Sequence, residues 1–252
     1  MRCVSPTLTG TMPAAPLAPI LITDTDGTEF RVPARRSARA QRMLLRVDPA
    51  RGGPELVLPD GVTPEVGADF ARRHIGWLRV RLARLPARVE LADGSEVPVL
   101  GVPHRIRHRP DQRGGVWRVV DPDGTAELHV AGRAEHVARR VADFLKAEAR
   151  QAIAPRARAH AAALGRPVGR ITVRDTASRW GSCSARGDLS FSWRLVLAPE
   201  SVLAYVVAHE AAHLVEMNHS PRFWRLVGRL MPDFERERAW LKRHGGRLHA
   251  YG

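Results

Sequence analysis

The sequence predicts an α+β fold, in which strands dominate the N-terminal half and helices the C-terminal half. Short β-like runs separated by turn dipeptides, such as Asp26-Gly27 and Asp123-Gly124, recur through the first half of the chain. An almost wholly apolar stretch over 201–217, SVLAYVVAHEAAHLVEM, is typical of a buried helix. These observations favour a β-rich N-terminal half joined to a core of strands and helices.

The N-terminal half is expected to consist of short strands around one helix. That helix covers 63–85, where apolar residues recur at helical spacing. A β-meander should follow it, with Asp93-Gly94 and Asp123-Gly124 as turns. The predicted strands span 20–23, 29–32, 43–47, 55–58, 89–91, 97–108, 116–120 and 126–130.

Three strands are expected ahead of the apolar helix. A long helix over 134–164, interrupted or kinked near Pro155, leads into them. The residues Arg186-Gly187-Asp188 suit a hairpin between the second and third strands. The predicted strands span 170–174, 178–184 and 189–195.

Two more helices are predicted after the apolar stretch. Ser220-Pro221 is an N-cap and a first helical residue, and Pro232 ends that helix near Met231. Asp233 can cap a third helix, which Gly245-Gly246 would close.

The segment His209-Glu210-Ala211-Ala212-His213 is an H-E-x-x-H motif inside the apolar stretch. Residues four apart share a helix face, so His209 and His213 can point two imidazoles at one ion. Glu210 lies beside them and can handle a metal-bound water, which is how zincin-type zinc hydrolases are built. Burying these groups is costly unless a metal ion satisfies them. We therefore expect a zincin-like C-terminal core of antiparallel strands plus the H-E-x-x-H helix.

A third ligand is needed, and two residues compete for that place. His219 follows His213 at the spacing that metzincins use, although Glu216 stands where those enzymes have a turn glycine. Asn218 could make the turn in a left-handed conformation. Glu216 is the rival, because it would share a helical face with the other two ligands. We favour His219, since a residue beyond the helix end can reach back toward the ion.

Three imidazoles would leave an open position on zinc for water, with Glu210 as the general base. Nickel and iron also suit three nitrogen ligands. Arg179 lies on the strand expected beside the motif helix, where its guanidinium could bind a substrate carboxylate or phosphate. The alternative for Arg179 is a structural salt bridge.

Composition restricts the class of protein and its compartment. The chain is 44% hydrophobic and 26% charged, as is ordinary for globular proteins, and no apolar run reaches the ~20 residues of a membrane span. We expect no membrane association. The two cysteines, Cys3 and Cys183, cannot form a disulfide framework, which favours the reducing cytoplasm. Cys183 is expected to be a buried strand residue rather than a nucleophile.

The net charge of +14 favours an anionic partner, which could be nucleic acid, a nucleotide phosphate or an acidic surface. Only Lys146 and Lys242 among the 40 basic residues are lysines, and such an arginine excess often reflects genome composition. The densest arginine run, over 35–46, is interpreted as a solvated face. No glycine-rich phosphate-binding loop is present.

Several segments together resemble the YgjP-like family of predicted metal-dependent hydrolases, which is related to the SprT-like and WLM zincin peptidases. The likeness is strongest over about 130–245. The resemblance implies His209, His213 and His219 as metal ligands and Glu210 as the catalytic carboxylate. The segments that carry it are SRWGSCS at 178–184, LSFSWRLVLAP at 189–199, YVVAHEAAHL at 205–214, NHSPRFW at 218–224 and Met231-Pro232-Asp233.

The expected organisation is a disordered tail over 1–17, a β-rich region with one helix over 18–131, and a zincin-like metallohydrolase domain over 132–252. The favoured function is a zinc-dependent metallopeptidase acting on a peptide or protein. The first alternative is a metal-dependent nucleoside triphosphate pyrophosphohydrolase, an activity to which this family has been linked. The second is a non-catalytic, metal-stabilised protein associated with nucleic acid. The presence of Glu210 argues against the second, because a structural metal site needs no base.

Overall fold

The computed structural model describes residues 17–48, 52–176 and 179–252, and these residues form an α+β fold, as predicted. Two compact units divide between Leu85 and Pro86. The sequence placed the division after residue 131, but the strands that precede 131 pack within the second unit. The proposed tail lies outside the described residues apart from Leu17. That 132–252 folds as a separate domain stays a prediction.

The N-terminal unit contains two small sheets and two helices. Strands β1 (Ile20–Thr23) and β2 (Glu29–Val32) form the hairpin predicted at Asp26-Gly27, where Gly27 has a φ of +85°. In the other sheet, β5 is paired in parallel with β3 and antiparallel with β4. Those strands are β3 (Ala34–Arg36), β4 (Leu44–Asp48) and β5 (Gly53–Leu58).

The single helix predicted over 63–85 is two helices, α1 (Pro64–Arg73) and α2 (Ile75–Ala83), separated at His74. The backbone of His74 (φ −109°, ψ 15°) is not helical, so the ladder of hydrogen bonds is interrupted there. The arginine run is not simply solvated, because Arg35 and Arg46 both bind the buried carboxylate of Glu55, at 3.2 and 2.6 Å.

The first sheet of the C-terminal unit has the strand order β6-β7-β9-β8, so the predicted meander is wrong. The central strands β7 and β9 are parallel, which a meander does not allow. The strand predicted over 97–108 is in fact the hairpin β6–β7, because Leu100 and Gly101 both adopt positive φ and reverse the chain. The strand predicted over 89–91 is not formed, and Val89 instead makes an isolated β-bridge with Tyr251. The strands are β6 (Glu96–Val99), β7 (Val102–Arg109), β8 (Val116–Val120) and β9 (Ala126–Ala131).

A long helix, α3 (Val137–Ala163), continues uninterrupted through Pro155 and packs against this sheet and the apolar helix. Its buried residues recur every three to four positions, as on one helical face. They include Val137, Val141, Leu145, Ala149 and Ile153.

The second sheet has β12 (Leu189–Ser192) in the centre, parallel to β10 (Ile171–Arg174) and antiparallel to β11 (Gly181–Cys183). The predicted hairpin at Gly187 is present, with a φ of +80°. The third strand ends earlier than predicted, because Trp193–Leu197 form a buried 3-10 turn that leads into the next helix. The first residue of the predicted strand over 178–184 lies outside the described residues.

The apolar stretch forms α4 (Glu200–Ala212), which is shorter than the stretch itself. Ser220 caps α5 (Pro221–Leu230) as predicted, since its Oγ accepts a hydrogen bond from the Phe223 amide at 3.3 Å. The last helix, α6 (Phe234–Leu248), runs through the two glycines that were expected to end it. An added Cβ on Gly245 would lie 3.1 Å from the Trp180 ring, so this glycine allows close packing rather than a stop.

None of the helices in the described part of the chain is long and apolar enough to cross a membrane.

Candidate metal centre

Three imidazole rings converge at the end of α4, and they are referred to below as the histidine cluster: His209, His213 and His219. One ring nitrogen from each lies within 4.8 Å of those of the other two. The Nε2 atoms of His209 and His219 are 3.1 Å apart. No other group of three or more metal-ligating side chains is found among residues 17–48, 52–176 and 179–252.

The end of α4 explains how the chain brings these rings together. His213 is the first residue after α4 and keeps a helical backbone (φ −66°, ψ −16°), so its ring stays on the same face as that of His209. The chain then turns back over residues 214–219 without a left-handed residue. Asn218 does not adopt the positive φ expected of it, since Leu100 is the one non-glycine residue that does so in the described chain.

Glu216, the rival ligand, is not part of the histidine cluster. Because α4 ends at Ala212, residue 216 is no longer on its helical face. The backbone carbonyl of Glu216 lies 3.0 Å from Nδ1 of His213, and its carboxylate lies 4.0 Å from Nε of Arg222. A carbonyl can only accept, so Nδ1 donates and the lone pair of His213 is on Nε2, the atom available to a metal.

The donor set of the histidine cluster fits a divalent metal ion. Tetrahedral zinc with Zn–N bonds of about 2.0–2.1 Å places its nitrogen ligands about 3.3 Å apart, close to the 3.1 Å between His209 and His219. Burial lowers the pKa of His209 to about 4, with further contributions from the neighbouring histidines, so this ring is neutral at physiological pH. Neutral imidazoles are the form that binds zinc, nickel or iron.

Aromatic packing orients the three imidazoles. Phe223 is fully buried, and its ring centroid lies 4.9, 4.5 and 4.8 Å from those of His209, His213 and His219. Trp224 lies against two of the same rings and stacks on Phe234 at 5.6 Å. Nδ1 of His209 has no hydrogen-bond partner in the described chain, so no hydrogen bond at that nitrogen helps to orient the ring.

Glu210 is 6% exposed and points from α4 toward β11. Burial raises the pKa of its carboxyl to about 7, against a smaller lowering by the charge of Arg179. A buried carboxylate of this kind is a stronger proton acceptor than one in water.

Gly181 provides the space that Glu210 occupies. A Cβ at residue 181 would lie 2.5 Å from Cγ, 2.6 Å from Oε1 and 2.7 Å from Cδ of Glu210, closer than atoms can approach. Sequence reasoning missed this role, since the glycine lies in a strand and nothing local links it to a carboxylate on a later helix. An isolated glycine in a strand is nevertheless a signal of close approach.

Arg179 precedes β11 and is exposed. Its backbone carbonyl accepts a hydrogen bond from Thr176 Oγ1 at 2.7 Å. Its guanidinium takes part in none of the ion pairs found in the described chain, so the salt bridge considered as an alternative is not formed there. The guanidinium therefore remains available to a ligand close to Glu210.

Cys183 is a half-buried thiol on β11. Burial raises its pKa to about 11, with smaller contributions from Glu210 and Asp188. The thiolate is the reactive form of cysteine, so this residue is a poor nucleophile at neutral pH, in agreement with the sequence analysis.

Comparisons with known proteins give one family match. A family model described as "YgjP-like, metallopeptidase domain" matches residues 41–244. The search of curated proteins finds no match. Among solved structures, the chain is similar to the crystal structure of the metallopeptidase zymogen of Pyrococcus abyssi abylysin, with 26% identity over 38% of this chain and 94% of that chain and a TM-score of 0.33.

His213→Ala should abolish stoichiometric metal binding, because two imidazoles are too few for a site of this type. The metal content of purified, zinc-loaded protein, measured by inductively coupled plasma mass spectrometry, should fall close to zero. His160→Ala, on α3 and away from the histidine cluster, should retain the metal. Unchanged metal in the His213 variant would rule out this ligand set.

Phe223→Leu should weaken metal affinity by at least about tenfold, because the three rings lose the surface that orients them. Competition with a chromophoric chelator measures this change. Phe144→Leu, on α3, is the matched control and should bind metal like the parent protein. Equal affinities of the two variants would show that Phe223 only fills space.

Proposed function

The chain belongs to the YgjP-like metallopeptidase family, and we propose that it is a zinc-dependent peptidase that uses the histidine cluster and Glu210. The observation that carries this proposal is the convergence of three imidazole nitrogens beside a buried carboxylate. A site that only stabilises a fold needs no such carboxylate. The family match covers most of the chain and supports peptide-bond hydrolysis as the reaction class.

The histidine cluster would hold the metal through neutral imidazole nitrogens. The hydrogen bond to the Glu216 carbonyl sets the tautomer of His213, and Phe223 sets the ring planes. A bound zinc ion would lower the pKa of a water molecule and polarise the carbonyl of the scissile peptide bond.

Glu210 is proposed to move the proton. It takes a proton from the attacking water as the water oxygen bonds to the carbonyl carbon. It then delivers that proton to the amide nitrogen as the C–N bond breaks. Its burial favours this role, because the raised pKa brings the carboxyl near the operating pH, where a group can both accept and donate.

The substrate is proposed to lie along β11, which is at the edge of its sheet in the strand order β10-β12-β11. An extended peptide can add to such an edge through main-chain hydrogen bonds, which do not depend on its sequence. Gly181 and Glu210 would then lie beside the same stretch of peptide. Arg179 would bind a carboxylate of this substrate.

Glu210→Gln should retain the metal but lower turnover by about 10²–10⁴-fold, because the amide cannot accept the proton. Casein and a panel of nucleoside triphosphates are incubated with the zinc-loaded parent protein and with this variant. Casein cleavage that disappears in the variant is the expected result. Cleavage that survives would remove Glu210 from the mechanism, and triphosphate hydrolysis in place of casein cleavage would overturn the peptidase assignment.

Gly181→Ala should lower kcat by about 10²-fold without loss of metal, since the new methyl group displaces Glu210 by about 1 Å. Gly246→Ala is the control, because a Cβ there meets nothing within 4 Å. In the Glu210→Ala background, all three atoms that the methyl group would meet are absent, and the residual rate can still be compared. Adding Gly181→Ala to that background should therefore cost little, and equal losses in the two backgrounds would contradict a positioning role for Gly181.

A further inference from the structure

A cleft of about 550 Å³ covers the face of the second sheet that is turned away from the hydrophobic core. It is called the arginine cleft here, and it is lined by Arg170, Thr172, Arg174, Arg179, Ser182 and Ser190, among others. Neither the proposed chemistry nor the family match assigns it a role, apart from Arg179.

Strand register places three hydroxyl groups in a row across the floor of the arginine cleft. Ser190 on β12 is paired with Thr172 on β10 and with Ser182 on β11, so the three side chains share one face. Neighbouring strands are about 4.8 Å apart, so this row is about 10 Å long. In the described chain, no hydrogen bond uses the hydroxyl of Ser182 or Ser190, which leaves both as donors for a ligand.

The charge of the arginine cleft is unbalanced. Arg170, Arg174 and Arg179 form no ion pair with any described residue. Asp188 is the one acidic residue in the lining, and its Oδ1 already accepts a hydrogen bond from the backbone amide of Arg170 at 2.7 Å. Guanidinium groups beside free hydroxyls match carboxylates in both charge and geometry.

The lining favours a polypeptide over a nucleic acid. No aromatic side chain lines the arginine cleft, so nucleobases would have no surface on which to stack. The cleft also reaches the strand along which the substrate is proposed to lie, because Ser182 on β11 and Arg179 just before it are both part of its lining.

We propose that the arginine cleft binds acidic side chains of the polypeptide substrate, and so selects peptides with Asp or Glu close to the scissile bond. Successive side chains of an extended peptide point to opposite faces of the sheet that it joins. Every second residue of a peptide along the edge strand β11 would therefore turn its side chain toward the face that carries the arginine cleft. This inference rests on the proposed peptidase function.

The test compares two peptide substrates that differ only in having glutamate or glutamine at these positions. The enzymes are the zinc-loaded parent, the double variant Arg170→Gln/Arg174→Gln and the control Arg150→Gln/Arg158→Gln, which removes two exposed arginines from α3. We expect the cleft variant to lose about tenfold in kcat/KM on the glutamate peptide alone. The control should match the parent on both peptides, and the parent's preference for glutamate should weaken with added salt.

Equal rates of the parent on the two peptides, or equal losses of the cleft variant on both, would overturn the inference and leave the peptidase proposal standing. Binding is measured separately, by fluorescence anisotropy of the labelled glutamate peptide with the Glu210→Gln protein. If the glutamate peptide binds in a way that requires Arg170 and Arg174 but the parent protein does not cleave it, the peptidase function is overturned. The proposal that the cleft binds an acidic ligand then still stands. A nucleoside triphosphate that binds in a cleft-dependent manner, while the peptide does not, would overturn the choice of ligand.

Discussion

The proposed reaction centre depends on the free energy of burying polar groups in α4. This helix is surrounded by apolar neighbours, yet it carries His209 and Glu210 in its last turn. Burial in an apolar environment shifts both toward their neutral forms, lowering the pKa of the imidazole and raising that of the carboxyl. In the proposed mechanism, the same burial that would destabilise an ordinary helix would prepare His209 to bind a metal and Glu210 to move a proton.

Packing around α4 then determines where these groups point. Phe223 comes from α5 and touches all three imidazoles, whereas Gly181 comes from β11 and leaves room for Glu210. The two contacts involve elements that are distant from each other in sequence. In the proposed mechanism, different elements would therefore set the geometry of the metal ligands and that of Glu210.

The sequence predicted what local patterns can encode. The H-E-x-x-H spacing, the Ser220 cap and the hairpin at Gly187 depend on residues close in the chain, and the structure contains the helix, the cap and the hairpin. The errors arose where tertiary contacts decide. The parallel β7–β9 pair requires two distant strands to meet, and α6 continues through Gly245, where the ring of Trp180 packs too closely to leave room for a side chain. The contact between residue 181 and Glu210 has no local signature for the same reason.

The net charge illustrates why composition is a weak guide to function. Some arginines are structural: Arg194 is buried, binds Asp175 at 3.0 Å and packs over the Trp193 ring. Others, such as Arg174, have no acidic partner in the described chain and face a cleft. An arginine excess that came only from genome composition would raise the charge of every surface equally. It would not explain why free hydroxyl groups lie beside the unpaired guanidinium groups of the arginine cleft. Position relative to the reaction centre, rather than total charge, therefore distinguishes arginines that stabilise the fold from those available to a substrate.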